Sequence, residues 1–425
     1  MPPASQADNM SAPPPPVVFI HGWKCSRLAD EKTGETEYDL TLPVLLGLAK
    51  DPALELPMGW LNKGKSQVED NLVATEPIRS FNCLCGMIKL GNLYGPLLKH
   101  LEKSPRDLYI FTYDWRRALG ETAVLFEKFL MNVKEITGRE PQVISHSMGG
   151  LITLSVLNRR PELFHSVLFG AGMLSPHAGI LKDLSIVGEK NVIGRNTTMF
   201  SPKLHLSHPA SWHFLGYSGE RELFGKPSRV LFRTEDKKPL EIDLHSLETW
   251  KQHRLGMYHP ESGVTNLPDP ELEEWVQSIL DKSLKFRKGL LPANSGLSPD
   301  AYPPVSVLRG DSGDTEFGYV LRPDDSIDLR EDIRYMRGDG RITLEDTIPP
   351  KGIQCCRVVT NNREHKDVLN DIDNVEALLD LMIAEKQVVK KSPKKRTPKK
   401  EVTRGVFTNE ELLAEAARRK LLNSN

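Results

Sequence analysis

The chain has 425 residues, enough for one large domain with insertions or for two smaller ones. With 39% hydrophobic and 27% charged residues it can build a core under a heavily charged surface, and its net charge of -1 gives no overall pull toward nucleic acid or anionic lipid. No stretch approaches the roughly 20 apolar residues that span a bilayer.

The N-terminus, "MPPASQADNMSAPPPP" (1–16), has neither a basic nor an apolar region of the kind a secretory signal carries, and its proline run reads as a flexible leader. Cys25, Cys83, Cys85, Cys355 and Cys356 are odd in number and lack metal-ligand spacing, so free thiols are expected. That suits an intracellular, cytoplasmic protein, at most peripheral to membranes.

"VVFIHGW" (17–23) is an apolar strand ending in His-Gly, and "DLYIFTYDW" (107–115), "PQVIS" (141–145) and "HSVLFGAGM" (165–173) are further strands. Helical patterns lie between them at 94–103, 121–136 and after Ser147. Later come strands at 305–310 and 355–361 and a closing helix at 374–385. Apolar strands alternating with amphipathic helices predict an α/β fold with a mostly parallel sheet. The pattern is lost between about 175 and 300, a stretch rich in histidine, proline and aromatics, and a cap inserted over the sheet edge is expected there. The predicted α/β domain therefore spans 17–384. Residues 387–425 read as a basic disordered tail, "KKSPKKRTPKK" at Lys390–Lys400 followed by a short helix capped by Thr408 and Glu411.

The chemistry centres on "QVISHSMGG" (142–150), strand, tight turn and helix in succession. A nucleophile elbow holds a serine on a strained corner and needs small residues two positions before and after it. With Ser147 on the corner the flanks are Ser145 and Gly149; with Ser145 there, one flank is the β-branched Val143. Ser147 is the expected nucleophile. His146 neighbours it but is directed off the corner. A serine nucleophile needs a base, and the base an acid. His365 lies in the loop between the last strand and the closing helix, the place for the base. Asp339, in the Gly-Asp-Gly turn of "YMRGDGRIT", and Asp311 and Asp314 after the preceding strand are candidate acids that spacing does not separate. The backbone amides of Met148 and Trp23 are the expected oxyanion donors.

"FTYDWRR" (111–117) resembles the Tyr-Asp-Trp-Arg signature of the lecithin:cholesterol acyltransferase family. "VVFIHGWKCSRL" resembles that family's opening strand and oxyanion loop, with His21 in place of a proline, and "SHSMGG" its elbow. "LSPHAGILKDL" resembles the entry to its cap, and "GDGRIT" its acid loop, with Arg341 and Ile342 replacing Thr-Val. "EHKDVLND" resembles the last histidine loop of α/β-hydrolases generally. The resemblance, over about residues 17–384, implies an α/β-hydrolase fold with Ser147, Asp339 and His365 as a triad. It also implies Trp23 as one oxyanion donor, lipid esters such as phospholipid or acylglycerol as substrates, and a sterol or other alcohol as a possible acyl acceptor.

No metal or organic cofactor and no nucleic acid is expected. Lys390–Lys400 is expected to touch anionic membrane, and Asp114 and Arg116 to form a structural ion pair. The aromatics Trp212, Phe214, Tyr217, Trp250 and Tyr258 are expected to line a groove or simply to pack. The rival class is an inactive binding module of the same fold, tethered by its basic tail.

Overall fold

Six of the apolar runs become parallel strands; the inner ones are covered on both faces and need no polar alternation, while the edge strand Cys355–Asn361 is half-buried to exposed. The structure is a computed structural model and describes residues 13–40, 54–56, 70–83, 88–176, 179–186, 200–226, 231–265, 269–389 and 406–407. The first twelve residues of the leader, Lys390–Lys400 and the expected helix around Thr408 and Glu411 lie outside them. The central strands are β1 (Val17–Ile20), β2 (Leu108–Phe111), β3 (Gln142–His146), β4 (Ser166–Gly170), β5 (Val305–Gly310), β6 (Cys355–Asn361) and β7 (Val406–Phe407). They pair in the order β6-β5-β4-β3-β1-β2-β7, all parallel. Every residue of β1, β3 and β4 is buried.

The longer helices are α1 (Gly95–Lys103), α2 (Leu119–Thr137), α3 (Gly149–Leu157), α4 (Pro270–Gly289) and α5 (Ile372–Val389). α2 ends where Gly138 takes a left-handed φ of 68°, a conformation that costs glycine little. All nine residues of α3 are buried, which explains why its sequence is apolar all round. Among the described residues, no helix is long and apolar enough to cross a membrane.

The segment between β4 and β5 is built of short helices, among them Pro202–Ser207, Pro209–Trp212, Glu220–Leu223 and Leu247–Gln252, closed by α4. Prolines opening two of these helices break the periodicity that a sequence reading relies on. A second, four-stranded sheet combines Phe232–Thr234 and Pro239–Leu240 with Gly313–Leu321 and Ile333–Gly338.

Two details differ from the expected tail over 387–425. Residues 387–389 are the last of α5, and Val406–Phe407 pairs with Leu108–Tyr109. Among the described residues, β2 has no other strand neighbour on that side. β1 lies between β2 and β3, so the chain leaves it in opposite directions and opens a crevice at the carboxyl ends of β1 and β3.

Candidate active site

Ser147 sits in that crevice, directly after β3 and two residues before the start of α3. Its φ is 51°, a strained value for a residue with a side chain, costing on the order of 1–3 kcal/mol. The surroundings hold it there: its N–H donates to the Gly170 carbonyl at 3.2 Å, and its own carbonyl accepts from Gly150 N at 2.9 Å and Met173 N at 3.2 Å. The small-flank requirement is explicit, since a Cβ on Gly149 would stand 2.6 Å from the His21 carbonyl oxygen. Ser145 is fully buried in β3 with its hydroxyl 3.4 Å from the Leu168 carbonyl. Of the two serines, only Ser147 occupies the corner.

The loops that follow β6 and the strand Ile333–Gly338 bring two distant residues to it. His365 Nε2 is 2.9 Å from Ser147 Oγ, and His365 Nδ1 is 2.8 Å from Asp339 Oδ2. The other carboxylate oxygen of Asp339 accepts the N–H groups of Arg341 at 2.9 Å and Ile342 at 2.7 Å. Burial opposes ionisation of Asp339, but the neighbouring His365 and the two amides outweigh it and hold its pKa below the usual carboxylate value. The carboxylate is thus held by the backbone of Arg341 and Ile342, not by their side chains. The competing acids are elsewhere: Asp311 pairs with Arg337 Nε at 2.8 Å, and Asp314 is exposed.

The β1 turn lies against the nucleophile, with a Cβ on Gly22 only 3.0 Å from Ser147 Cβ. His21 is buried and stacked on Tyr113, ring centroids 4.1 Å apart. Burial lowers its pKa to about 4, so it is neutral at physiological pH. Tyr113 N–H donates to its Nε2 at 3.3 Å, which leaves Nδ1–H to donate to the Gly22 carbonyl at 2.8 Å. A trans peptide places C=O and N–H on opposite sides, so fixing the Gly22 carbonyl turns the Trp23 N–H away from His21. Met148, fully buried, begins the turn into α3 with its N–H directly after the nucleophile.

A sheet with this strand order, a strained serine between β3 and α3, and an acid and a histidine on loops after later strands decides the architecture. The fold is that of the α/β-hydrolases. A chain from the crystal structure of the Tle4–Tli4 complex superposes with a TM-score of 0.50 at 12% identity, covering 90% of this chain and 100% of that one. Bacillus licheniformis lipase BlEst2 in mature form aligns at 9% identity over 89% of this chain and 96% of its own, TM-score 0.35. The peroxisomal α/β-hydrolase Lpx1 of Saccharomyces cerevisiae aligns at 12% identity over 99% and 88%, TM-score 0.30. No protein-family model and no curated protein matches the chain.

Other expected residues fall into supporting places. Arg116 is fully buried and grips Asp114 through Nε at 3.0 Å and an Nη at 2.7 Å, and also reaches Asp70 at 2.7 Å. Trp212 and Trp250 are core, with ring centroids 5.0 Å apart and indole N–H groups given to the Leu206 and Leu244 carbonyls. Tyr258 donates to Glu273 on α4. Of the five aromatics, Phe214 reaches the site, 5.1 Å from the Trp23 ring. A cavity of about 300 Å³ lined by Tyr217, Leu223, Lys288 and Pro292 involves no member of the Ser147–His365–Asp339 cluster. Among the described residues, no group of His, Cys, Asp and Glu is placed to hold a metal ion. Tyr94 was not foreseen near the site, and His146, expected only to neighbour the nucleophile, bonds both Tyr94 and the His365 carbonyl. For Tyr94, in a helical pattern 53 positions before Ser147, no local signal could have found it.

Proposed function

We propose that this protein is a serine hydrolase or O-acyltransferase of lipid esters, phospholipid or acylglycerol, working through an acyl-Ser147 intermediate. The observation that carries the reading is the continuous pair of hydrogen bonds from Ser147 Oγ to His365 Nε2 and from His365 Nδ1 to Asp339. His365 Nε2 takes the hydroxyl proton as Ser147 Oγ attacks the ester carbonyl carbon, and the carbonyl π electrons move onto its oxygen. The amides of Met148 and Trp23 donate to that oxyanion. Collapse breaks the bond to the alcohol oxygen, which leaves with the proton from His365. Water or a second alcohol then gives its proton to His365 and attacks the acyl carbon; collapse of this second intermediate breaks the bond to Ser147 Oγ, which takes that proton back from His365. Asp339 stays ionised throughout, held so by its two amides and by His365.

The lipid assignment and the acyltransferase option rest on the likeness of "FTYDWRR" and the loops around it to the lecithin:cholesterol acyltransferase family. A sterol or other lipophilic alcohol competes with water only if a pocket orients it, since effective molarities of well-placed groups reach about 10⁵ M or more.

A fluorophosphonate probe should label the wild-type protein and Ser145→Ala but not Ser147→Ala, and ester turnover in Ser147→Ala should fall by roughly 10⁴- to 10⁶-fold. Substantial turnover without Ser147 would end this reading. With a phospholipid donor, added alcohol should convert free fatty acid into new ester without raising donor consumption. If no class of alcohol gives ester by mass spectrometry, the activity is hydrolysis alone.

A further inference from the structure

His146, the residue before the nucleophile, is buried between the base and the oxyanion loop. Its Nε2 lies 3.0 Å from the backbone carbonyl of His365 and its Nδ1 2.7 Å from the Tyr94 hydroxyl. A carbonyl can only accept, so Nε2 carries the hydrogen. Burial drives the His146 pKa down to about 3, with the charge of His365 acting in the same direction, so the ring is neutral and its Nδ1 is a bare acceptor. Tyr94 must then donate its hydroxyl hydrogen to Nδ1. The same hydroxyl oxygen accepts the Gly22 N–H at 2.9 Å. Burial raises the Tyr94 pKa well above 10, so the phenol keeps its hydrogen.

The hydrogen-bond directions in this chain are thereby assigned; the Cys25 thiol, also beside the Tyr94 hydroxyl, donates its own hydrogen to the Trp23 carbonyl at 3.0 Å. The chain of bonds runs from Gly22 N–H to the Tyr94 oxygen, from Tyr94 O–H to His146 Nδ1, and from His146 Nε2–H to the His365 carbonyl. It joins segments 72, 52 and 219 residues apart. Each segment holds one part of the chemistry: Gly22 precedes the oxyanion residue Trp23, His146 precedes Ser147, and His365 is the base. The space is close-fitted, since a Cβ on Gly22 would meet His146 Nδ1 and Ser147 Cβ, both at 3.0 Å.

We propose that Tyr94 and His146 are positioning residues, a directed hydrogen-bond relay that sets the distance between the base and the oxyanion loop by fastening both to the nucleophile strand. The inference rests on the proposed acyl-serine chemistry. A serine–histidine contact of 2.9 Å tolerates little drift, and a misplacement of about 1 Å can cost roughly 100-fold in rate. Neutrality of His146 is part of the design. Its ring centroid is 4.9 Å from that of His365, where a second positive charge would oppose the imidazolium formed during attack.

The test uses the full-length protein and a soluble ester. Tyr94→Phe removes the hydroxyl and keeps the ring. His146→Gln keeps a donor for the His365 carbonyl but loses the acceptor for Tyr94, and His146→Leu loses both. Expected are kcat losses of about 10- to 100-fold in Tyr94→Phe with KM nearly unchanged, a smaller loss in His146→Gln than in His146→Leu, and a Tyr94→Phe/His146→Gln double variant little worse than the poorer single. Tyr319→Phe, which removes a buried hydroxyl bonded to Glu316 outside the site, serves as the stability control and should leave kcat alone. If Tyr94→Phe and His146→Leu lose only as much kcat as Tyr319→Phe does, the relay is structural and the proposal is wrong. If instead the wild type shows no Ser147-dependent labelling or turnover, the acyl-serine reading fails and the relay falls with it.

Discussion

Gly149 leaves no room for a methyl group. A Cβ there would press within 2.6 Å of the His21 carbonyl oxygen and 3.0 Å of the Ile20 carbonyl oxygen, both of them backbone atoms that cannot swing aside. Gly149→Ala should therefore push the elbow away from the end of β1, lowering thermal stability and, on the proposed function, ester turnover. Gly138→Ala is the matched control: its φ is 68°, but a Cβ would meet nothing, so the cost should be about 1 kcal/mol and activity should be intact. Wild-type turnover in Gly149→Ala would show that the corner is looser than the structure has it. The same steric rule made Ser147 legible in the sequence, because small residues around a corner leave a pattern. His365 was legible from its place after the last strand. Asp339 was separable from Asp311 only by resemblance, since a carboxylate held by two backbone amides looks, in sequence, like any Asp-Gly turn. Tyr94 and His146 meet through tertiary folding alone.

At the scale of elements, the alternation of apolar strands and helices predicted the central sheet because parallel strands buried on both faces read as unbroken apolar runs. Gly313–Leu321 did not read as a strand: "GDTEFGY" is acidic and half-exposed, and its pairing partner Ile333–Gly338 is polar too. The short helices between β4 and β5 gave no period long enough to detect. They are tied together by polar contacts, the most buried being Arg287 on α4 with Glu220 at the start of the helix Glu220–Leu223, both fully inaccessible, Nε to carboxylate 2.8 Å. Burial raises the Glu220 pKa even against the pull of Arg287, a sign of how costly these charges are apart. Arg287→Met should destabilise the protein by about 3–5 kcal/mol, because it strands the carboxylate. Adding Glu220→Gln to it should recover much of that loss. Urea denaturation of the two variants decides the point, and equal stability of both would mean that the pair contributes packing, not charge compensation.

Over the whole molecule, six of the twelve histidines are buried with depressed pKa values. Burial takes His21 and His213 to about 4, His146 and His245 to about 3, and His205 and His208 well below the ordinary 6.5. The linkage follows from the direction of these shifts. Above pH 6.5 neither the folded nor the unfolded chain protonates them, and their effect on stability is nil. Between 6.5 and about 4 the unfolded chain binds protons that the folded one refuses, so stability is lost as the pH falls. Each histidine contributes up to roughly 1.4 kcal/mol per pH unit in that window. A domain stable by about 5–15 kcal/mol should not survive far below pH 5. The depressed carboxylate of Asp339 does not soften this, because its own contribution is present above its unfolded pKa and disappears only at lower pH. Urea unfolding midpoints from pH 8 to pH 4 should therefore be level down to about 6.5 and then drop steeply. His213 donates Nδ1–H to the Pro209 carbonyl at 2.8 Å, a bond that an asparagine amide can replace without titrating. His213→Asn should make the acid slope shallower by one proton, whatever it does to stability at pH 8. A midpoint that stays level to pH 4 would mean that these histidines protonate freely in the folded protein.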